Sequence, residues 1–214
     1  MKLDKYKTII FDCDGVLLNS NRVKTEAFFK AALPYGTIAA QKLVDYHVAR
    51  GGISRYEKFE WFLKNIVMDS HGPDIDQLLM TYASEVRVGL LTCDIAPGLQ
   101  ELKMKTERAN WLVASGGDQN ELREVFHKRN INDLFDQIFG SPDSKETILS
   151  REKESGNLNY PALFIGDSRY DHVAATKAGL EFIFLSGWSE FNEWEHYCET
   201  NKILHLKSIS ELTM

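Results

Sequence analysis

Cysteine is scarce in the sequence: Cys13, Cys93 and Cys198 are the three among 214 residues, odd in number and with no close pairing. A disulfide framework and the paired spacing of a zinc site are thereby excluded, and a cytoplasmic, reducing setting fits best. Also missing is any apolar run near the roughly 20 residues that a membrane-spanning helix requires. Residues 1–7 carry basic side chains but lead directly into a short apolar stretch with two aspartates, which is not the pattern of a signal peptide. No Lys/Arg cluster stands out and the net charge is -6, so nucleic acid, which needs a basic patch, is excluded as a partner. There is no internal repeat and no low-complexity tract. Hydrophobic residues at 43% and charged residues at 26% are ordinary for a globular chain, and the length suits one domain with a modest insert.

Several short β-branched or aromatic runs each stop at small or acidic residues. Thr8-Ile9-Ile10-Phe11 runs into Asp12-Cys13-Asp14-Gly15, Trp111-Leu112-Val113-Ala114 into Ser115-Gly116-Gly117-Asp118, and Ala162-Leu163-Phe164-Ile165 into Gly166-Asp167-Ser168. Phe182–Leu185, Ile203–Leu206 and a shorter Gln137–Phe139 complete the set. Such runs read as buried strands. Helical patterns cover Gln119–Lys128, Lys145–Glu154, Tyr170–Ala178 with Gly179 as its stop, and Glu190–Tyr197. Strand alternating with helix predicts an α/β fold, a doubly wound parallel sheet covered on both faces, with ligands outside the carboxyl ends of the strands.

Residues 20–91 break this rhythm. They hold helical patterns over Val23–Ala32, Ile38–Ala49, Tyr56–Val67 and Ile75–Leu90 but no convincing strand. The expected organisation is a core of residues 1–19 and 92–214 carrying an inserted helical cap of residues 20–91, with Pro97-Gly98 marking the return.

Asp12 and Asp14, one residue apart at a strand end, repel each other and lose water, which a bound cation remedies. Mg²⁺ accepts carboxylate and carbonyl oxygens while keeping waters and substrate phosphate, so the pair suits it. Gly15 lets the chain turn away closely. The six histidines show no metal-ligand spacing and read as surface or capping residues. Cys13, between two carboxylates, reads as packing.

Phe11-Asp12-Cys13-Asp14-Gly15-Val16-Leu17-Leu18-Asn19-Ser20 resembles the first motif of the haloacid dehalogenase-like hydrolases. Ala114-Ser115-Gly116, Lys145 after Ser141-Pro142-Asp143-Ser144, and Ile165-Gly166-Asp167-Ser168-Arg169-Tyr170-Asp171 resemble the other three in order. The resemblance implies the branch with a helical cap that includes phosphoglycolate phosphatases and β-phosphoglucomutases. It implies Asp12 as a nucleophile that becomes an aspartyl-phosphate, and Asp14 as general acid, then base. Mg²⁺ would rest on Asp12, the backbone carbonyl of Asp14 and Asp167. Ser115, Gly116 and Lys145 would hold the phosphoryl oxygens. Asp171 would orient the ion's waters or lock the loop through Lys145 rather than bind the ion.

Gly51-Gly52-Ile53-Ser54-Arg55 resembles a cap loop of the β-phosphoglucomutase-like branch, which implies that Arg55 reaches an anionic group of the substrate. Ser54 also reads as a helix N-cap, with Glu57 closing a capping box. The expected function is Mg²⁺-dependent hydrolysis of a small phosphorylated metabolite, a sugar phosphate or phosphoglycolate-like compound. Lys24 stands where the mutases carry a histidine, which counts against a phosphomutase. A phosphonate hydrolase would need a buried cap lysine, with Lys24, Lys30 and Lys42 available. Asp14 argues against a dehalogenase, and retention of the whole acidic set against an inactive phosphometabolite sensor.

Overall fold

Thr8–Phe11 forms strand β1, and its alternate side chains serve two cores. Ile9 and Phe11 pack with Trp111, Val113, Leu163 and Ile165, while Ile10 packs with Leu112, Ala114 and Phe164. A strand buried on both faces has no use for polar alternation, and all four of its residues are buried. The computed structural model describes residues 2–68 and 71–213. Residues 1, 69, 70 and 214, which the expected division of the chain takes in, lie outside that description.

After β1 come four helices, α1 (Asn21–Ala32), α2 (Thr37–Ala49), α3 (Arg55–Phe62, continued by a π-turn over Leu63–Val67) and α4 (Ile75–Thr92). The last carries Leu78, Tyr82, Val86 and Leu90 at four-residue spacing on its buried face, and an Asp74/Gln77 capping box starts it. Phe28 meets Phe59 and Tyr82 at ring distances of 5.2 and 4.4 Å, so aromatic contacts join α1, α3 and α4.

The chain returns through α5 (Leu99–Lys105) to β2 (Asn110–Asp118), α6 (Gln119–Lys128), β3 (Gln137–Ser141), α7 (Lys145–Glu154), β4 (Ala162–Gly166), α8 (Arg169–Ala178), β5 (Glu181–Leu185), α9 (Trp194–Asn201) and β6 (Leu204–Leu206). Among the described residues every pairing between these strands is parallel, and the strand order is β3-β2-β1-β4-β5-β6. Direction reverses between β1 and β4, and a crevice opens there beyond the strand ends.

Three details differ from the sequence reading. Helix α5 follows a left-handed Gly98 where no helix is expected. The last helix starts at Trp194 rather than Glu190. Strand β2 continues through Ser115-Gly116-Gly117 to Asp118, because Asp118 pairs with Ser141 across a register shift.

Candidate active site

Asp12 leaves the end of β1 and Asp167 the end of β4, the two strands that flank the switch point. Carboxylate oxygens of Asp12, Asp167 and Asp171 lie within 4.8 Å of one another, and all three residues are buried. Close approach is possible because Gly15, at φ +74°, has no side chain: a Cβ there would stand 2.1 Å from Asp167 Oδ2. Asn21 Nδ2 donates to that same oxygen at 2.7 Å.

Lys145, at the first position of α7, enters this acidic group fully buried. Its ammonium lies 2.9 Å from Asp12 Oδ1 and pairs with Asp171 Oδ1. Burial opposes the ammonium's charge, but the two carboxylates outweigh it and hold Lys145 above its ordinary pKa. Asp171 Oδ2 accepts from the Ser168 hydroxyl at 2.6 Å and from the Ser168 and Asp167 N–H groups at 3.1 and 3.3 Å. Both oxygens of Asp171 are therefore committed. Asp171 thus ties the Asp167-Ser168 loop to Lys145.

Burial, against the pull of Lys145, pushes Asp12 up to about 7, and the charges of Asp171 and Asp14 add to the rise. Asp167 is pushed well above the ordinary carboxylate range by burial and then by Asp12. Despite its ammonium neighbour, Asp12 Oδ1 receives no hydrogen bond of acceptable geometry. A cluster of three carboxylates with one lysine, and with an orphaned buried oxygen, fits a hard divalent cation: two more positive charges balance the three negative ones.

Asp14 is arranged differently. Ser20 Oγ donates to its Oδ1 at 2.6 Å, and Lys24, buried on α1, pairs with its Oδ2. Burial raises the Asp14 pKa, but Lys24's charge and hydrogen bond, with Ser20, outweigh it and leave Asp14 below its ordinary value. Its carboxylate is thus occupied by protein donors, and only its backbone carbonyl remains for a metal.

The second strand end is split in use. Ser115 is fully buried, with its hydroxyl accepting from the Gly117 N–H at 3.0 Å, and Asp118 is the N-cap of α6. Gly116 lines a cavity of about 430 Å³ together with Asp12, Asp14 and Asp167. The Gly51-Gly52 loop closes over it so tightly that a Cβ on Gly116 would lie 2.3 Å from the Gly52 carbonyl oxygen.

Arg55, expected to meet substrate, also lines the cavity, but its guanidinium is bidentate to Glu121 of α6, with Nη1 3.2 Å from Oε2 and Nη2 on Oε1. Tyr56 Oη reaches Asp118 at 2.9 Å. Ser54 caps α3 as expected, accepting from the Glu57 N–H at 3.2 Å, while its hydroxyl turns to the Glu57 carboxylate. Of the three candidate cap lysines, Lys30 and Lys42 are exposed and Lys24 is buried against Asp14.

Among the cavity residues that sequence reasoning missed are His47, Lys58 and Asn21. His47, expected at the surface or in a cap, is buried on α2, and Lys58 is buried on α3. The usable signal for Lys58 is its place on the stripe Arg55, Lys58, Phe59, Phe62, all buried at i, i+3, i+4 and i+7. Asn21 gives no comparable signal.

A parallel α/β sheet with paired aspartates, a second acidic loop and a lysine at its switch point defines a class of hydrolases. Residues 9–185 match the model of the haloacid dehalogenase-like hydrolases, and the chain belongs to that family. Solved structures agree in fold. A haloacid dehalogenase-like hydrolase from Bacteroides fragilis is 20% identical, with 97% of this chain and 100% of that one covered and a TM-score of 0.69. CbbY from Rhodobacter sphaeroides, solved with phosphate, is 18% identical over 97% and 96%, with a TM-score of 0.72. A β-phosphoglucomutase from Clostridium difficile is 20% identical over 97% and 93%, with a TM-score of 0.70. No curated protein matches the chain.

Proposed function

We propose that this hydrolase is a Mg²⁺-dependent phosphatase that transfers the phosphoryl group of a small metabolite to Asp12 and then to water. The observation that carries this reading is the placement of Asp12 at the switch point, facing the cavity, with Lys145 and Asp167 beside it and Asp14 two residues on. Residues 20–91 act as a cap that closes on the core residues 1–19 and 92–214, and solvent leaves the cavity on closure.

Asp12 and Asp167, with the Asp14 carbonyl, are the groups that would hold Mg²⁺. The ion supplies charge neutralisation between an anionic nucleophile and an anionic phosphate. In the first step a carboxylate oxygen of Asp12 bonds to phosphorus, the phosphorus–oxygen bond to the leaving group breaks, and the leaving oxygen takes a proton from Asp14. In the second, water attacks phosphorus and gives a proton back to Asp14, and Asp12 departs as carboxylate. Lys145 and the Gly116 N–H face the transferring oxygens, where charge spreads in the transition state.

The test is turnover of p-nitrophenyl phosphate with and without Mg²⁺ by wild type and Asp12→Asn. Wild type should require Mg²⁺ and the variant should be inactive while keeping its melting temperature within a few degrees. Substantial turnover by folded Asp12→Asn would remove Asp12 from the role of nucleophile.

A further inference from the structure

Among the described residues, the buried cations in and beside the cavity have carboxylate partners with one exception, while Arg50 and Arg169, which also line the cavity, are exposed. Lys24 pairs with Asp14, Arg55 with Glu121, and Lys145 with Asp12 and Asp171. Lys58 is 2% exposed and lines the same cavity. Among the described residues no carboxylate meets its ammonium group, whose one hydrogen-bond partner is His47 Nδ1 at 2.7 Å. Below it lies the Phe28 ring, 5.5 Å from Nζ. A buried amine without a counter-charge is costly and marks a place where a ligand supplies the missing charge.

We propose that Lys58, oriented by His47, is the specificity-determining residue that takes a second anionic group of the substrate, a carboxylate or phosphate on the leaving-group side of the transferred phosphoryl. This deepens the phosphatase reading and rests on it. The division of labour follows from placement: the transferring phosphate would engage the group around Asp12, while Lys58 lines the same cavity from α3, where the rest of the substrate would meet it. A cavity of about 430 Å³ suits a metabolite of a few carbons bearing two anionic ends. His47 is buried and held well below its ordinary pKa by burial and by Lys58, so it stays neutral and accepts from the amine instead of competing with it for an anion.

Charged and titratable groups around Lys58 are Lys24 from α1, His47 from α2, Glu57 from α3, and Asp14 and Lys145 from the core, and Tyr82 of α4 lines the same cavity. Burial first, then Lys24, lowers Lys58 to about 7, with Lys145 adding to the fall and Asp14 and Glu57 opposing it. An incoming anion reverses that balance and draws a proton onto the amine.

The experiment compares Lys58→Met and Lys58→Arg with wild type on three probes: p-nitrophenyl phosphate, 2-phosphoglycolate and a sugar bisphosphate. Lys58→Met should lower kcat/KM for the carboxylate or the bisphosphate probe roughly ten- to a hundredfold, chiefly through KM, while p-nitrophenyl phosphate changes less than about threefold. Lys58→Arg should restore part of the loss, and the probe that suffers more identifies the anion. Calorimetry at pH 8 in two buffers, on the Asp12→Asn background, should show proton uptake on binding that probe, absent when Lys58 is Met. Wild-type turnover of p-nitrophenyl phosphate checks the phosphatase reading separately. Equal losses on all three probes, or no loss on either probe that carries a second anionic group, would overturn the assignment, as would borohydride inactivation that depends on a carbonyl-bearing phosphonate.

Discussion

Replacing Lys58 by methionine should change how stability depends on pH, by an amount the structure allows one to work out. The amine titrates near 7 when folded because burial and Lys24 oppose its charge, against an ordinary value of 10.5 in the unfolded chain. Below pH 7 both states hold the proton and the folded state bears the full cost of a buried charge. Between about 7 and 10.5 only the unfolded state holds it, so the wild-type penalty shrinks as pH rises. Each pH unit across that window is worth about 1.4 kcal/mol, so the penalty falls by about 3 kcal/mol from pH 7 to pH 9.5. Methionine has nearly the same shape and nothing to titrate. Losing the bond to His47 leaves that ring nitrogen unpaired at a cost of about 1–3 kcal/mol, but the cost does not vary over this range. The stability of Lys58→Met relative to wild type should therefore decline by about 3 kcal/mol between pH 7 and 9.5, read from urea unfolding of both proteins at each pH. Parallel curves would refute the reasoning and return Lys58 to an ordinary lysine pKa.

Three other outcomes are expected. Asp167→Asn should raise the Mg²⁺ concentration for half-maximal activity at least about tenfold, whereas Asp171→Asn, which disturbs the Lys145 and Ser168 network, should lower the melting temperature more than it shifts that concentration. Arg55→Ala and Glu121→Ala should each lower stability by up to about 3 kcal/mol, and the double variant should be little worse than either single, as measured by a double-mutant cycle. Lys24→Met removes the cation that holds Asp14 down while leaving it buried, so the limb of the kcat/KM profile that reports Asp14 should move to higher pH; an unmoved limb would mean that another group carries it.

The core half of the candidate site is readable from sequence because its residues sit where strands stop. Thr8–Phe11 and Ala162–Gly166 are apolar runs whose ends cannot be anything but polar loops, so Asp12 and Asp167 are positioned by the sheet itself. Helices Gln119–Lys128 and Lys145–Glu154 are read residue for residue, since Asp118 and Ser144 cap them by accepting from Glu121 and Thr147. Where local signals are weak, tertiary pairing decides: Ser115-Gly116-Gly117 has little strand propensity and becomes strand through β3. The cap half is opaque for a different reason. Lys58 and His47 acquire their chemistry from burial and from each other across eleven residues, and no spacing rule announces a lysine whose neighbours withhold a counter-charge.

Asp14 and Lys24 link the two halves. The proposed mechanism asks Asp14 for a proton in its first step, yet Lys24 and Ser20 hold the Asp14 carboxyl below its ordinary pKa. The same pair solves the problem once a phosphate arrives. An entering dianion competes for Lys24, and every part of the lysine's charge that turns toward phosphate is withdrawn from Asp14, whose burial then raises its proton affinity. In the proposed mechanism a bound phosphate would thus make Asp14 a better proton donor. Lys24 also lowers the Lys58 pKa, so the same movement makes Lys58 easier to protonate and readier for a second anion. A substrate with two anionic ends draws on both effects at once, and one with a single phosphate draws on the first alone.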